Sequence, residues 1–329
     1  MTILFLCIFL SAGCYVAGNS SGKDSLLVNA AKSNRISIVC TTFPQYDWVK
    51  NIIGEQTDCF DLTLLLDNGV DMHSYQPTVR DIAVAGSADL FIYVGGESDS
   101  WVTDALKEAK NTKLKAMNLM NVLGDSVKEE EVVEGMQKEK NHFIHSEEET
   151  EYDEHIWLSI RNAEILVQSI EKEIARLDAK NADIYQANAK KYLQKLDALD
   201  KQYASVIQDA RYSAILFGDR FPFRYLADDY HLKYYAAFVG CSAETMAGFE
   251  TVTFLSKKVD ELHLPVILTM ENSDGRIAES IKSNTIKKNQ RILTMNSLQS
   301  VTQEQLLNGI TYLNVMKQNL AVLSEALNG

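Results

Sequence analysis

From Asn181 to Ala210 the chain contains neither glycine nor proline. Its apolar residues Ile184, Ala187, Tyr192, Leu196, Leu199, Tyr203, Val206 and Ile207 recur at three-and-four spacing. That periodicity predicts one long helix. At ~1.5 Å per residue it would run about 45 Å, farther than a small α/β lobe is wide. A rod of that length must either span two bodies or project from one.

Both flanks read as strands alternating with helices. Before the rod come ISIVCTTF, QYDWVKNIIG, DLTLLLDNG, a helix starting near Pro77 with Asp81 in its first turn, LFIYVGG, SWVTDALKEA and KLKAMNLM. After it come SAILFGD, FRYLADDYHL, KYYAAF, a helix from Phe254 to Leu262, PVILTMENSDG, RIAESIKSN, RILTM and a final helix from Gln303 to Leu327. Such alternation predicts parallel βαβ units. The expected architecture is α/β: two lobes, each a mainly parallel sheet flanked by helices, joined by the long helix. With 329 residues, two domains of ordinary size are expected. The boundaries read 1–13 signal peptide, 14–34 tether, 35–178 first lobe, 179–210 linking helix and 211–329 second lobe. Ligands of open α/β sheets gather past the carboxyl ends of strands, so the cleft between the lobes is the expected site.

The formal charge of −13 argues against a nucleic-acid partner, which needs a basic face. Residues 126–154 are rich in carboxylates, include His142 and His145, and read as a solvated loop. At the N-terminus an apolar run from Ile3 to Leu10 gives way to small residues and Cys14, then to a polar stretch. It is too short for a permanent membrane span and reads as a secretory signal. Past it, Cys40, Cys59 and Cys241 are scattered, form no CxxC, and read as small buried apolar side chains.

No GxSxG elbow between a strand and a helix, no HExxH, no GxxxxGK[ST] and no GxGxxG after a strand is present, which removes the commonest catalytic frameworks. Four loop positions could ligate a metal: His73, His155, Asp219 and Glu271, with Asp274 as an alternative to Glu271. Singly, each has an ordinary reading, since carboxylates after strands often cap the next helix. Together they would make a tetrahedral or near-octahedral site.

Six stretches in order carry a family resemblance: CTTFPQYDWVKNIIG, DMHSYQPTVRDIAVAGSADLFIYVGG, DEHIWLSIRNA, IYQANAKKYLQKLDALD, FRYLADDYHL and GITYLNVMKQNLAVLSEAL. From about Ile36 to Asn328 the chain resembles the solute-binding proteins of bacterial zinc and manganese ABC transporters, whose lobes share one rigid helix. The resemblance implies that His73 and His155 are ligands, His155 standing in a D-P-H-x-W-L phrase with Glu154 in place of proline. It places Arg220 at the third ligand position. Because arginine cannot ligate, Asp219 is the expected donor, with Arg220 paired to a nearby carboxylate as the alternative. Glu271 or Asp274 would be the fourth. The Leu10–Cys14 junction is similar to a lipoprotein box, implying lipidation at Cys14, against the alternative of an ordinary signal peptide. The acidic loop is similar to the metal-recruiting loop of zinc-type members, but with only His142 and His145 in it solvated charge is the first reading and metal recruitment the alternative.

The resemblance therefore implies capture of a divalent metal, Zn2+ first and Mn2+ second, outside the cytoplasmic membrane. The protein would be a lipid-anchored monomer delivering metal to an ABC permease, without enzymatic chemistry. Its stiff helix implies small lobe rotations. The alternatives are a surface adhesin, a label some members carry, and a secreted metal-dependent hydrolase, which would need an open coordination position.

Overall fold

The structure is a computed structural model and describes residues 35–137, 151–242 and 246–329. The signal and tether segments, Cys14, His142 and His145 lie outside the described residues. The first sheet comprises β1 (Ile36–Cys40), β2 (Phe60–Leu64), β3 (Leu90–Tyr93) and β4 (Lys115–Asn118), in the order β2-β1-β3-β4. Its connections hold α1 (Phe43–Ile53), α2 (Val79–Ala85), α3 (Val102–Lys107) and α4 (Leu119–Leu123). Then come α5 (Ile160–Leu177) and α6 (Ala182–Gln208). The second sheet comprises β5 (Ala214–Phe221), β6 (Lys233–Val239), β7 (Val266–Met270) and β8 (Arg291–Met295), in the order β6-β5-β7-β8. It carries α7 (Arg224–Asp229), α8 (Phe249–Glu261), α9 (Arg276–Asn284), α10 (Gln303–Leu307) and α11 (Tyr312–Asn328).

All these strand pairs are parallel. Each strand order reverses at the sheet centre, between β1 and β3 and between β5 and β7. Loops diverge there past the strands' carboxyl ends and leave a crevice.

Local chemistry explains most boundaries. Pro44 and a Thr42–Gln45 capping box open α1. α2 is capped by Thr78 with Asp81 reciprocating, so Pro77 precedes the cap rather than entering the helix. The last helix is two: α10 stops at Asn308, Gly309 has a φ of 74°, and the Thr311 side chain accepts from Asn314 N to start α11. A left-handed glycine followed by a threonine cap outweighs apolar periodicity across that junction.

The long helix buries Tyr185, Ala189, Tyr192, Leu196, Leu199 and Tyr203. At its start the buried face therefore runs through Tyr185 and Ala189, while Ile184 is exposed, a shift from the reading through Ile184 and Ala187. Tyr185 wins because it reaches two partners at once. Its hydroxyl donates to Asp178 (2.6 Å) and its ring meets Phe60 edge-on (5.8 Å).

α6 packs on α5, α1 and α11, and α11 also lies on β7 and β8. The long helix joins the lobes without being their sole tie, because residues from both sheets share one apolar cluster. The Tyr312 ring of α11 meets Trp48 of α1 edge-on at 5.3 Å, and the Tyr312 hydroxyl donates to the Trp157 carbonyl (2.6 Å).

Asp47 of α1 accepts from the first backbone N–H of α11, Tyr312 N, at 3.0 Å. It is an anion at a helix N-terminus. Burial nevertheless raises its pKa to about 6, the Tyr312 N–H offsetting only part of that. A carboxyl raised above its unfolded value stabilises most below about pH 4, and that stability is lost as pH rises through about 6. Asp47→Asn is therefore expected to flatten stability across this window, gaining up to ~3 kcal/mol relative to the parent between pH 4 and 7. Urea unfolding of both proteins at the two pH values checks it; parallel pH curves would exclude a charged, buried Asp47 as the cause.

Candidate metal centre

His155 follows a segment whose ends pack rather than float. Glu129 and Tyr152 form an antiparallel bridge, Lys128 N donates to the Tyr225 hydroxyl (3.0 Å), and Asp153 and Glu154 are each 2 % exposed. The described ends of the acidic segment are thus anchored, with Asp153 and Glu154 buried, while Glu129, Glu131 and Glu134 stay exposed as the solvated-loop reading expects. Asp153 Oδ1 accepts from both His155 N (2.8 Å) and His155 Nδ1 (3.0 Å), which sets the imidazole's orientation. His155 Nε2 then faces two groups, His73 Nε2 at 3.1 Å and Gln299 Oε1 at 2.8 Å.

His73 sits in a short turn past the carboxyl end of β2, where Asp71 Oδ1 accepts from His73 N (3.0 Å). Its Nδ1 lies 3.0 Å from Ser98 Oγ and 3.5 Å from Glu154 Oε2. Glu154 reaches this position because Gly96, with a φ of 78°, has no Cβ to collide with its carboxylate. His155 is fully buried and His73 partly so, and each Nδ1 has an oxygen partner while the two Nε2 atoms converge. Burial, then the neighbouring His155, push the His73 pKa down. Burial also opposes charge on His155, but Asp153 outweighs it and holds that pKa above the ordinary value.

From the second sheet, Cys241 follows β6. Its ligand atom and those of His73 and His155 all lie within 4.8 Å of one another, the group of metal-capable side chains found among the described residues. Burial, followed by Asp153, Glu130 and Glu154, raises the thiol pKa well above normal, against a hydrogen bond from the Glu154 backbone. Reading Cys241 as a small apolar residue missed this. The available signal was an arginine at a ligand position, which leaves a donor unaccounted for.

The other expected donors lie outside this group. Asp219 is inside β5, at a register irregularity, where its carboxylate accepts from Arg220 N (2.9 Å) and Met270 N (3.3 Å). Glu271 follows β7 and accepts from Ser297 N (2.7 Å) and Ser297 Oγ (2.5 Å). Burial raises the Glu271 pKa to about 7. Asp274 is exposed and paired with Arg276 at 2.5 Å. Arg220 pairs with Asp71 at 2.6 Å, as the alternative reading expected. Gln299, which no sequence pattern marked, bridges His155 to Asp71 (2.9 Å).

Metal-binding histidines characteristically donate their second ring nitrogen to a carboxylate or other oxygen, and this pair does so on both sides. A family model described as the periplasmic component A of a zinc-uptake complex matches residues 38–326. The chain belongs to that family. It is 29% identical over 328 residues to the high-affinity zinc uptake system protein ZnuA of Bacillus subtilis, covering 99% of this chain and 96% of that protein. It is 29% identical over 295 residues to the zinc-binding lipoprotein AdcA of Streptococcus pneumoniae, covering 88% of this chain and 56% of AdcA. It thus spans little more than half of the AdcA chain. The crystal structure of the Zn(II)-bound ZnuA-like domain of that AdcA superposes with a TM-score of 0.69 at 26% identity, over 90% of this chain and all of that domain.

This family member is an extracytoplasmic, metal-binding solute-binding protein and not an enzyme. As a component of an uptake system it works with a membrane permease. No helix among the described residues is long and apolar enough to cross a membrane.

Proposed function

We propose that this protein captures Zn2+ in the crevice between its two sheets and hands it to the permease of an ABC importer. The observation that carries the reading is the meeting of His73 Nε2 and His155 Nε2 at 3.1 Å, with both Nδ1 atoms engaged elsewhere. Two imidazole nitrogens aimed at one point suit zinc better than manganese, which prefers harder oxygen donors. Mn2+ is therefore the second cargo. Asp219 and Glu271 remain candidate donors that would have to release their backbone and Ser297 partners to ligate. The boundaries at 1–13, 14–34, 35–178, 179–210 and 211–329 are proposed as leader, tether, lobe, linking helix and lobe. Cys14 is the proposed lipid anchor of a monomer.

The test is metal analysis of protein purified without chelator, followed by competitive Zn2+ and Mn2+ titrations of the parent, Asp219→Ala and Glu271→Gln. Stoichiometric zinc that manganese fails to displace at equal concentration is expected. Protein that retains neither metal, or that releases zinc to equimolar manganese, would overturn zinc as cargo. Undiminished affinity in either carboxylate variant removes that residue from the site.

A further inference from the structure

Arg220 stands at the position where a third donor is expected, yet its guanidinium cannot bind a cation. It spans the crevice instead. Its Nη2 donates to Asp71 Oδ2 (2.6 Å) in the His73 loop, and its Nη1 donates to the Ser242 carbonyl (3.0 Å) in the turn after β6. That turn holds Cys241, whose backbone N–H donates to Glu130 Oε1 (3.0 Å). Gly240 lets it close down. A Cβ there would lie 3.1 Å from His155 Cε1 and 3.0 Å from the Phe221 carbonyl. Three anchors thus hold the cysteine against the two histidines.

We propose that Cys241 is the second lobe's metal donor, completing a His73–His155–Cys241 set selective for zinc-class cations. Tetrahedral zinc, at ~2.0 Å from nitrogen and ~2.3 Å from sulphur, needs its donors roughly 3.3–3.6 Å apart. The two Nε2 atoms are 3.1 Å apart and all three ligand atoms fall within 4.8 Å, so sub-ångström to ångström shifts suffice. A second observation points to a cation. Glu154 Oε2 is buried without a hydrogen-bond partner, 3.5 Å from His73 Nδ1. Buried carboxylate oxygens are otherwise almost always satisfied. A cation on the far side of the ring would polarise His73 Nδ1–H toward it.

On binding, the S–H bond breaks as the S–Zn bond forms and the proton leaves to solvent, with no change of oxidation state. A thiolate makes the set softer than two imidazoles with carboxylates, which disfavours manganese. The inference rests on the zinc-capture reading. It changes which second-lobe residue closes the site.

The full chain is titrated with Zn2+ and with Co2+, and iodoacetamide labelling is mapped by peptide mass spectrometry. Zinc is expected to slow labelling of Cys241 by about tenfold or more while half-buried Cys59 reacts unchanged, because only a coordinated sulphur loses its nucleophilic lone pair. The Co2+ form is expected to show thiolate-to-cobalt charge-transfer absorption, absent in Cys241→Ala. That variant is expected to bind zinc about 10- to 100-fold more weakly with little change for manganese, losing one soft donor. Because the cobalt spectrum is read on the parent protein, the test survives a variant that fails to fold. Zinc binding with unprotected Cys241, or cobalt binding without the charge-transfer band, overturns Cys241 and leaves zinc capture standing. No zinc binding by the parent overturns both.

Discussion

Replacing His155 by alanine is expected to lower zinc affinity by more than ~100-fold, beyond the roughly 10- to 100-fold loss expected for Asp153→Asn, which acts through the histidine. The ordering follows from geometry. His155 Nε2 is aimed at His73 Nε2, whereas the Asp153 carboxylate accepts from His155 Nδ1 and from its backbone N–H. Asp153→Asn keeps an oxygen near Nδ1 but withdraws the charge that orients the ring and raises its basicity. Isothermal titration of both variants against a competing chelator measures the ratio, with circular dichroism confirming the fold. If Asp153→Asn cost more than His155→Ala, the imidazole would be a structural core group rather than a donor.

Leu196→Pro has the second large effect. Leu196 lies in the middle of α6 and is fully buried. Proline removes a helical hydrogen bond and clashes with the preceding turn, costing about 3 kcal/mol or more. Losing the leucine side chain adds about 2–5 kcal/mol. Their sum rivals the whole stability of a typical domain, about 5–15 kcal/mol. The variant is expected to be largely unfolded at 37 °C or to melt far below the parent, with zinc retention lost alongside. Proline at the exposed neighbour Lys195 isolates the backbone part, so the difference between the two variants reports the packing. A Leu196→Pro protein with parental melting and zinc affinity would show that α6 is dispensable to both.

The shared core bears on how the lobes move. With α11 and the Trp48–Tyr312 contact bridging the sheets beside α6, a wide hinge would have to open apolar surface to water. Small rotations and loop shifts cost less.

Particular residues show where local reasoning holds. β7, Val266–Met270, is buried at every position, and such interior parallel strands read as continuous apolar runs. α9 spans Arg276–Asn284, the same residues its pattern marks. The split between α10 and α11 was legible in Gly309 and Thr311, but an apolar period on both sides masked it. Tyr185 displaced Ile184 from the buried face because its partners, Asp178 and Phe60, come from other elements. Periodicity weighs side chains by polarity and cannot register a hydroxyl that finds an acceptor.

The site divides in the same way. The sequence alone determined the alternating α/β order, the long helix and the family, and it marked the two histidines as candidates, because these depend on short-range pattern and on phrases kept in order. Tertiary structure alone decided the rest. It turned Asp219 toward the Arg220 and Met270 backbone, tied Glu271 to Ser297, paired Arg220 with Asp71, and brought Cys241 within 4.8 Å of His73 and His155. The reason is physical. A donor's usefulness depends on which way a loop turns after its strand ends, and that turn is set by hydrogen bonds to residues far away in the chain.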